Sequence, residues 1–272
     1  MQESKNTSVN PNPQAILKEA HKIESGWLLV VGVVALILFL VISQPDPYRD
    51  MVVFMADGLW VTIYTTLISF VLVLFVGLIG GLGRISKNPI IRGIATVYVE
   101  VIRGIPLLVQ LIFWYFAMPA VLRDLGTSLN IEWLANYKTS PLVMAIIGLT
   151  IAYGAYMSEV YRAGIQSIPK GQMEAARSLC MTYFQAMRYV VLPQAFRVIL
   201  PPIGNELITL LKDSSLVSVV AVADLTRRGR EFTATNFNPI ETYSMLALLY
   251  LVMTLLTARL VSYTERITKM ER

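Results

Sequence analysis

Long hydrophobic stretches dominate this chain, and shorter polar segments separate them. Six of the stretches have about the length that a helix needs to cross a lipid bilayer, where a helix satisfies its own backbone groups. They cover residues 27–43, 59–83, 94–118, 141–162, 195–222 and 243–263. The pattern therefore predicts an all-α polytopic membrane protein with six transmembrane helices.

The first hydrophobic run could also belong to a secretory signal. The segment before it is long, and no small-x-small cleavage site precedes Gln44-Pro45. We therefore predict an uncleaved transmembrane helix at residues 27–43. The polar residues 1–26 contain a stretch, Gln14–Ser25, that fits either a short amphipathic helix or a disordered tail.

A polar, helix-prone segment at residues 170–195 separates the fourth and fifth runs. It follows Pro169 and ends at Leu192-Pro193. Proline disfavours a helix at the residue before it and suits a first helical turn, so both ends are predicted helix boundaries. The segment fits two short helices, the first of them amphipathic. Exposed between two membrane spans, it is predicted to dock a soluble partner.

Two of the hydrophobic runs contain residues that disturb a helix. Gly104 and Pro106 weaken the hydrogen-bond ladder of the third run and favour a kink there. Pro201, Pro202 and Gly204 are predicted to interrupt the fifth run. The fifth run also carries polar residues, namely Asn205, Glu206, Lys212, Asp213, Ser214 and Ser215. A bilayer tolerates such groups only where they face protein or a water-filled cavity.

Two residue pairs inside the runs suggest contacts. Gly77 and Gly81 have the four-residue spacing that permits close helix packing. Glu100 and Arg103 share one helical face, so they either pair with each other or extend to the membrane interface, and we favour the interface.

Composition excludes several classes of function. Of the 272 residues, 55% are hydrophobic and 15% charged, which is too apolar for a soluble domain. The net charge of +5 is spread between the hydrophobic runs and not gathered in one patch, which argues against nucleic acid binding. The chain has one cysteine, one isolated histidine (His21), no phosphate-binding glycine loop and no hydrolase motif. We therefore predict no disulfide, no metal site, no ATP site and no enzymatic activity.

The distribution of cations predicts the orientation in the membrane. Fourteen of the 23 Lys and Arg residues lie on the side that holds both termini and the polar segment, six lie on the other side, and three lie within the runs. The positive-inside rule places the termini and the polar segment in the cytosol. A predicted polar loop, Asp224–Glu241, is an exception to this trend, because it carries three cations on the other side. They are Arg227, Arg228 and Arg230. They mark either a docking site for an acidic external partner or a solvated loop, and we favour the loop.

The polar segment resembles the EAA loop of permease subunits of ATP-binding-cassette (ABC) importers. The match consists of Glu174-Ala175-Ala176, position 180, and Val190-x-Leu192-Pro193, set against the pattern E-A-A-x3-G-x9-I-x-L-P. Val190 replaces an isoleucine, and Cys180 replaces a glycine that serves a tight turn. If that turn requires a positive φ, Cys180 is strained or the turn is reshaped.

Two further segments resemble the polar amino acid permeases of the same superfamily. Arg103–Gln110 is similar to R-G-[TV]-P-L-L-V-Q, and Asn205–Leu216 is similar to N-E-x-I-x-L-x-K-x-[ST]-S-L. The resemblance extends from Leu59 to the C-terminus. It gives no guidance on the helix at residues 27–43.

The resemblance implies a permease subunit that moves a polar amino acid across the bacterial inner membrane. It implies a five-helix type I importer core at 59–263 with a cytosolic EAA loop at 167–194. An extra helix (27–43), a cytosolic N-terminal segment (1–26) and a cytosolic tail (264–272) lie outside this core. Partners would be ABC ATPase subunits, a second permease subunit, an external solute-binding protein, the amino acid and membrane lipid. ATP and Mg²⁺ would bind the ATPase, and this chain would hold no cofactor.

The resemblance also assigns roles to individual residues. The expected ATPase-coupling residues are Glu174, Ala175, Ala176, Arg177 and Cys180. The expected substrate-pathway residues are Asn205, Glu206, Lys212, Asp213, Ser214 and Ser215. The expected structural residues are Arg103, Gly104, Pro106, Pro193, Pro201 and Pro202.

The chemistry of a zwitterionic substrate suggests a finer assignment. Lys212 would meet the carboxylate of the amino acid, and Glu206 or Asp213 would meet its ammonium group. A Lys212–Asp213 contact that never touches the solute is an equal alternative. The sequence chooses neither the amino acid nor between an identical and a different second permease.

An ion-coupled secondary carrier is the alternative function, because carboxylates within the membrane also serve proton-coupled transport. It would leave the EAA-like segment unexplained, and no inverted repeat is evident.

Overall fold

The structure is a computed structural model that describes the backbone of residues 13–270 and the side chains of residues 26–267. Within that range the chain is helical and contains no strand, which confirms the all-α prediction. The α-helices are α1 (Pro13–Ser43), α2 (Pro45–Arg84), α3 (Pro89–Gly104), α4 (Leu107–Ile112), α5 (Met118–Ser128), α6 (Glu132–Ala135), α7 (Pro141–Gln166), α8 (Lys170–Ser178), α9 (Tyr183–Ala186), α10 (Leu192–Asp213), α11 (Leu225–Asn236) and α12 (Pro239–Met270).

Five of the described helical segments are long and apolar enough to span a membrane. They are Gly26–Ser43, Pro45–Arg84, Leu107–Ser128, Pro141–Gln166 and Pro239–Ile267. The predicted fifth span, 195–222, is a helix but is not among them, since it carries several charged residues. The predicted third span, 94–118, is divided between α3 and the segment after it. The helices of a polytopic membrane protein are therefore present, and the count of six spans stays a prediction.

Helix α1 includes Gln14–Ser25, which the sequence predicts to be either a short amphipathic helix or a disordered tail. The backbone of Gln14–Ser25 is helical and continuous with the span that follows. Residues 1–12 and 271–272, part of the predicted terminal segments, lie outside the described residues. Beyond Gly26, α1 packs against α2 and α12 and so braces the bundle from one side.

The polar segment between the predicted third and fourth spans is partly helical. Residues 123–139 are helical to Ser128 and again over Glu132–Ala135. Hydroxyl side chains of this segment bond to carbonyl groups one turn earlier, Thr127 to Arg123 at 3.0 Å and Ser128 to Asp124 at 2.8 Å. Polar side chains that bond to their own helix in this way do not end it.

Prolines shape the helices differently from the prediction. Pro201 and Pro202 lie inside a continuous α10, so the predicted interruption there is wrong, and the helix tightens to a 3₁₀ segment only at Ser214–Val220. Pro193 does not end the preceding helix either. A π turn, Met187–Val191, joins α9 to α10, and a second one, Phe113–Ala117, joins α4 to α5.

Each π turn ends two residues before a proline, Pro193 in one case and Pro119 in the other. A proline ring clashes with the carbonyl four residues earlier in an α-helix and donates no hydrogen bond to it. The wider turn shifts the bonding to five residues, as in the bond from Leu192 N–H to the Met187 carbonyl. The helix therefore continues past the proline instead of stopping.

Helices α2 and α7 pack closely along a line of small residues. Gly77 and Gly81, predicted for close packing, both lie buried in this contact, and Gly80 lies between them. A Cβ atom at Gly77 would lie 2.5 Å from the Met157 Cβ atom. A Cβ atom at Gly81 would lie 2.8 Å from the Tyr161 Cβ atom and 2.9 Å from the Ser158 carbonyl oxygen. The prediction of close packing is confirmed.

Two hydrophobic clusters fill the interior on either side of α10. One joins α2, α7, α10 and the 3₁₀ segment through fully buried residues such as Val73, Leu149, Leu210 and Val217. The other joins α2, α10, α11 and α12 and includes Met55, Leu211, Phe232 and Met245. Residues of α1 pack on its outside.

The predicted loop Asp224–Glu241 is largely helix α11. Its cap residue Asp224 is fully buried and accepts from Thr226 N–H at 3.2 Å and Arg227 N–H at 3.0 Å. Thr62 of α2 accepts from Leu225 N–H at 3.0 Å. Burial raises the pKa of the Asp224 carboxyl to about 6. Helix α11 is therefore fixed to the bundle.

The arginines of α11 pair within the protein. Arg228 forms ion pairs with Asp57 at 2.5 Å and with Glu231 at 2.7 Å, and Arg227 pairs with Glu231 at 2.9 Å. Arg230 donates to the Ser218 carbonyl at 2.8 Å. The favoured prediction of a solvated loop is wrong, because the segment is helical and Arg228 and Arg230 hold it against neighbouring elements.

The close α2–α7 contact predicts the effect of a single methyl group. Gly81→Ala should destabilise the protein by about 1–3 kcal/mol, because a backbone oxygen lies too close to move aside cheaply. Thermal unfolding in detergent measures the loss. Gly93→Ala is the matched control, since nothing lies within 4 Å of a Cβ atom there. Equal losses in both variants would contradict the packing argument.

The buried Asp224 predicts a dependence of stability on pH. Its pKa is higher in the folded protein than in the unfolded chain, so the stabilisation from its protonated form is complete below about pH 4 and is lost as pH rises through about 6. The unfolding free energy of the wild type relative to Asp224→Asn should fall by roughly 2 kcal/mol over that range. Asparagine keeps the cap.

Glu231→Gln is the control for this experiment. The hydrogen bonds from Arg227 and Arg228 lower the pKa of Glu231. Its contribution therefore has the opposite sign and is lost as pH falls. A wild type and an Asp224→Asn variant with parallel pH profiles would show that Asp224 does not titrate in this way.

Candidate coupling segment and substrate pathway

The predicted docking segment lies outside the apolar spans and starts where predicted. Helix α7 ends at Gln166, Pro169 caps the next helix, and α8 begins at Lys170. Four of the five predicted coupling residues are exposed: Glu174, Ala175, Arg177 and Cys180. Ala176, the fifth, is buried against the protein.

Cys180 adopts the backbone conformation for which glycine is favoured. Its φ angle is +60°. The chain reverses there through two hydrogen bonds, from Cys180 N–H to the Arg177 carbonyl at 3.0 Å and from Met181 N–H to the Ala176 carbonyl at 3.3 Å. This pair is the Schellman arrangement that ends a helix at a left-handed residue. The turn keeps its shape with cysteine, which carries a strain of about 1 kcal/mol.

Large apolar side chains project from this turn. Leu179 is 78% exposed, Phe184 is 71% exposed, and Tyr183 lies next to Phe184. Exposed apolar residues clustered in a segment between spans indicate a contact surface for another protein.

Several contacts fix the docking segment to the bundle. Thr182 and Gln185 form a reciprocal cap at the start of α9. Gln194 of α10 donates to the Gln172 side chain at 3.2 Å, and Lys87 lies 5.8 Å above the ring of Tyr183. The segment is thus tied to α10 and to the turn between α2 and α3.

Helix α9 continues into α10 through the π turn, so one helical rod extends from Tyr183 to Asp213. Its first part belongs to the docking segment. Its last part carries Glu206 and Asp213. The docking segment and the two carboxylates therefore belong to a single continuous element.

An ion-pair network joins α2 and α7 near the same end of the bundle. Glu159 pairs with both Arg84 and Arg162. Arg162 also donates to the Gln166 side chain at 2.5 Å. These contacts hold the end of α2, which leads into the turn before α3, against the end of α7, which leads into the docking segment.

A polar cavity of about 240 Å³ lies beside the other end of the rod. Its lining residues come from three parts of the chain: Ile105, Leu107, Gln110, Ala152, Tyr153, Tyr156, Glu206, Thr209 and Asp213. The Tyr153 hydroxyl donates to the Asp213 carboxylate at 2.7 Å. The Arg103 guanidinium lies 5.1 Å above the ring of Tyr156.

Gln110 closes the break between α3 and α4. The helix stops at Gly104 and resumes at Leu107, a stronger disruption than the predicted kink. The Gln110 amide donates to the carbonyls of Ile102 and Ile105, each at 2.8 Å, and so satisfies backbone groups that the break exposes. Its side-chain oxygen is buried and has no hydrogen-bond partner in the part of the chain that the structure describes, and the residue lines the cavity.

The structure brings two of the six predicted pathway residues to the cavity, Glu206 and Asp213. The Ser214 hydroxyl instead donates to the Leu211 carbonyl at 2.7 Å. Asn205 and Lys212 are exposed on α10, and Ser215 is half-buried. Among the side chains the structure describes, the ion pairs include neither Lys212 with Asp213 nor Glu100 with Arg103.

The sequence pattern did not identify Gln110, Tyr153 or Tyr156 as candidate site residues. Gln110 belongs to the recognised Arg103–Gln110 segment, so a signal for it existed. Tyr153 and Tyr156 lie in an apolar run, and Tyr153 is separated by 60 residues from its partner Asp213. Their roles emerge only from the packing of α7 beside α10.

The chain matches a known family model over most of its length. Residues 73–269 match the model described as "Binding-protein-dependent transport system inner membrane component". That range includes the docking segment, the rod and the cavity.

Curated relatives are amino acid permeases. The glutamine transport system permease protein GlnP of Escherichia coli (strain K12) is 37% identical over 210 residues, covering 77% of this chain and 90% of the relative. The arginine transport system permease protein ArgU of Corynebacterium glutamicum is 36% identical over 242 residues, covering 84% and 75%. The L-cystine permease TcyB of Bacillus subtilis is 40% identical over 186 residues, covering 68% and 74%.

Solved structures share the fold. A crystal structure of an amino acid ABC transporter with histidines matches with a TM-score of 0.70 and 38% identity, covering 84% of this chain and 97% of the other. An inward-facing MetNI methionine ABC transporter matches with a TM-score of 0.63 and 21% identity, covering 80% and 98%.

These similarities do not favour the ion-coupled carrier, because the matched proteins are subunits of binding-protein-dependent systems. Together with the apolar helices, they make the chain a multi-pass inner membrane protein. The chain therefore belongs to the binding-protein-dependent transport system inner membrane component family, as a permease subunit of an amino acid ABC importer.

Proposed function

We propose that this permease takes a polar amino acid from an external binding protein and passes it through the cavity beside α10 while a separate ATPase acts on α8. The observation that carries the proposal is the continuous rod from Tyr183 to Asp213, which joins the docking segment to the cavity. The permease domain is then 59–263, with its cytosolic coupling loop at 167–194. The termini, 1–26 and 264–272, lie in the cytosol on the positive-inside argument.

The ATPase binds the exposed side of α8 and the turn after it. Glu174 and Arg177 supply polar contacts, and Ala175 allows close approach. Leu179 and Phe184 supply the apolar contacts of the interface. ATP and Mg²⁺ bind to the ATPase, and this chain is not itself an enzyme. Closure of the ATPase moves α8 as a rigid body, and the rod carries the movement to the cavity.

A second permease subunit covers the exposed polar side of α10. Asn205, Thr209 and Lys212 are exposed and lie about one helical turn apart, so they form one stripe. In a bilayer such a stripe must face protein or water. Pairing of two α10 helices, from identical or different permeases, would satisfy it and place a water-filled path between them.

The cavity suits the ammonium group of an amino acid. Glu206 and Asp213 supply negative charge, and the unpaired Gln110 oxygen supplies an acceptor. The cations available for the substrate carboxylate are Arg103, held over Tyr156, and Lys212 on the exposed stripe. The relatives are named for glutamine, arginine and L-cystine, whose common part is this zwitterion.

The docking surface predicts an uncoupling variant. Glu174→Arg reverses a charge that faces the ATPase and should lower ATP-driven amino acid uptake in proteoliposomes about tenfold, equivalent to ~1.4 kcal/mol of docking free energy. Chain insertion should be unchanged. Glu132→Arg makes the same reversal on α6, outside the docking segment, and should keep wild-type uptake. Normal coupling in Glu174→Arg would refute the docking role.

The cavity predicts a graded pair of variants. Asp213→Asn removes a charge and should lower uptake about tenfold or more while the subunits still co-purify, since it removes the ionic partner of a buried site. Tyr153→Phe removes only the 2.7 Å hydrogen bond to Asp213 and should have a smaller effect. Both effects are measured as changes in the initial rate of uptake of labelled amino acid. Unaffected uptake in Asp213→Asn would place the pathway elsewhere.

A further inference from the structure

A second cavity, of about 280 Å³, lies between α1 and the end of α12. It is lined by Trp27, Leu256, Arg259, Leu260, Ser262, Tyr263 and Arg266. Two of these residues are arginines and none is acidic. The volume approaches that of small-molecule sites, which start at about 300 Å³.

The cavity lies at the boundary of the membrane. The two apolar spans that form its walls are Gly26–Ser43 and Pro239–Ile267. Trp27 stands at the start of the first span, and Tyr263 and Arg266 stand near the end of the second. Tryptophan and tyrosine favour the depth of the lipid headgroups. Leu256 lies about one helical turn before Arg259, further inside the span, and Leu256 and Leu260 make the wall of the cavity partly apolar.

Arg259 lines this cavity, and one of its donors is unsatisfied. Its Nε atom is buried and finds no hydrogen-bond partner among the described residues. Its guanidinium group lies against the backbone of Gly26, where any side chain would overlap it. A buried donor without a partner destabilises the protein, and a bound acceptor that engages the guanidinium group would relieve this cost.

We propose that this cavity binds the phosphodiester headgroup of an anionic membrane lipid, with Arg259 as the principal donor. Guanidinium groups match phosphate oxygens in geometry and charge. Arg266 adds a second positive charge, Ser262 offers a hydroxyl group, and the leucines receive the start of an acyl chain. Basic pockets between membrane helices on the cytosolic side are suited to such headgroups. The extra helix α1 thereby becomes one wall of a lipid site.

The test titrates phosphatidylglycerol into the full permease complex in detergent and records the unfolding temperature and the bound lipid by native mass spectrometry. The wild type should bind phosphatidylglycerol and gain stability, and phosphatidylethanolamine should do so at least fivefold less effectively. Arg259→Gln should weaken the apparent affinity for phosphatidylglycerol at least fivefold. Ser262→Leu, which fills the cavity without changing charge, should do the same.

Arg92→Gln is the matched control, because it removes one exposed positive charge on the predicted cytosolic side, away from the cavity. It should bind phosphatidylglycerol as the wild type does. Equal binding by Arg259→Gln and Ser262→Leu, or equal binding of phosphatidylethanolamine by the wild type, would overturn the proposal. A matching gain in stability from millimolar inorganic phosphate alone would also overturn it, since the site would then take soluble phosphate.

Discussion

A backbone polar group inside a bilayer must find its partner within the protein, and this constraint explains the unusual features of the structure. Where the chain breaks at Ile105, the Gln110 side chain serves the carbonyls that the break releases. Where Pro119 and Pro193 remove a donor, a π turn shifts the bonding. Each of these irregularities is closed by a hydrogen bond or a shift of bonding within the protein.

The same devices give the molecule two continuous parts, a closely packed helix pair and a long helical rod. Helices α2 and α7 form the pair, since glycine contacts and the Glu159 ion pairs fix them along their length. The rod of α9 and α10 is continuous because its π turn carries the helix past Pro193. Had Pro193 ended the helix, as the sequence predicts, the docking segment and the cavity would lie on separate elements.

The predictable part of the structure is the part that local patterns encode. Hydrophobic runs gave the helices, the Gly77–Gly81 spacing gave a helix contact, and the glycine position of the EAA pattern anticipated the left-handed Cys180. Helix α11 was missed because its polar composition resembles a loop, and its stability comes from Asp57 and Thr62, which lie far away in sequence. The Tyr153–Asp213 bond was missed for the same reason, since only tertiary packing brings the two together.

The distribution of charge shows which exposed polar groups need a further explanation. The arginines of α11 do not, because Asp57, Glu231 and the Ser218 carbonyl already engage them. The exposed stripe on α10 does need an explanation, because it lies on a helix set among apolar spans. It consists of Asn205, Thr209 and Lys212. The buried Nε atom of Arg259 also needs one, because no described residue accepts a hydrogen bond from it. The two groups differ in what can complete them. A polar stripe on a helix among apolar spans requires protein or water, whereas a guanidinium group near Trp27 and Tyr263 can be completed by a lipid headgroup.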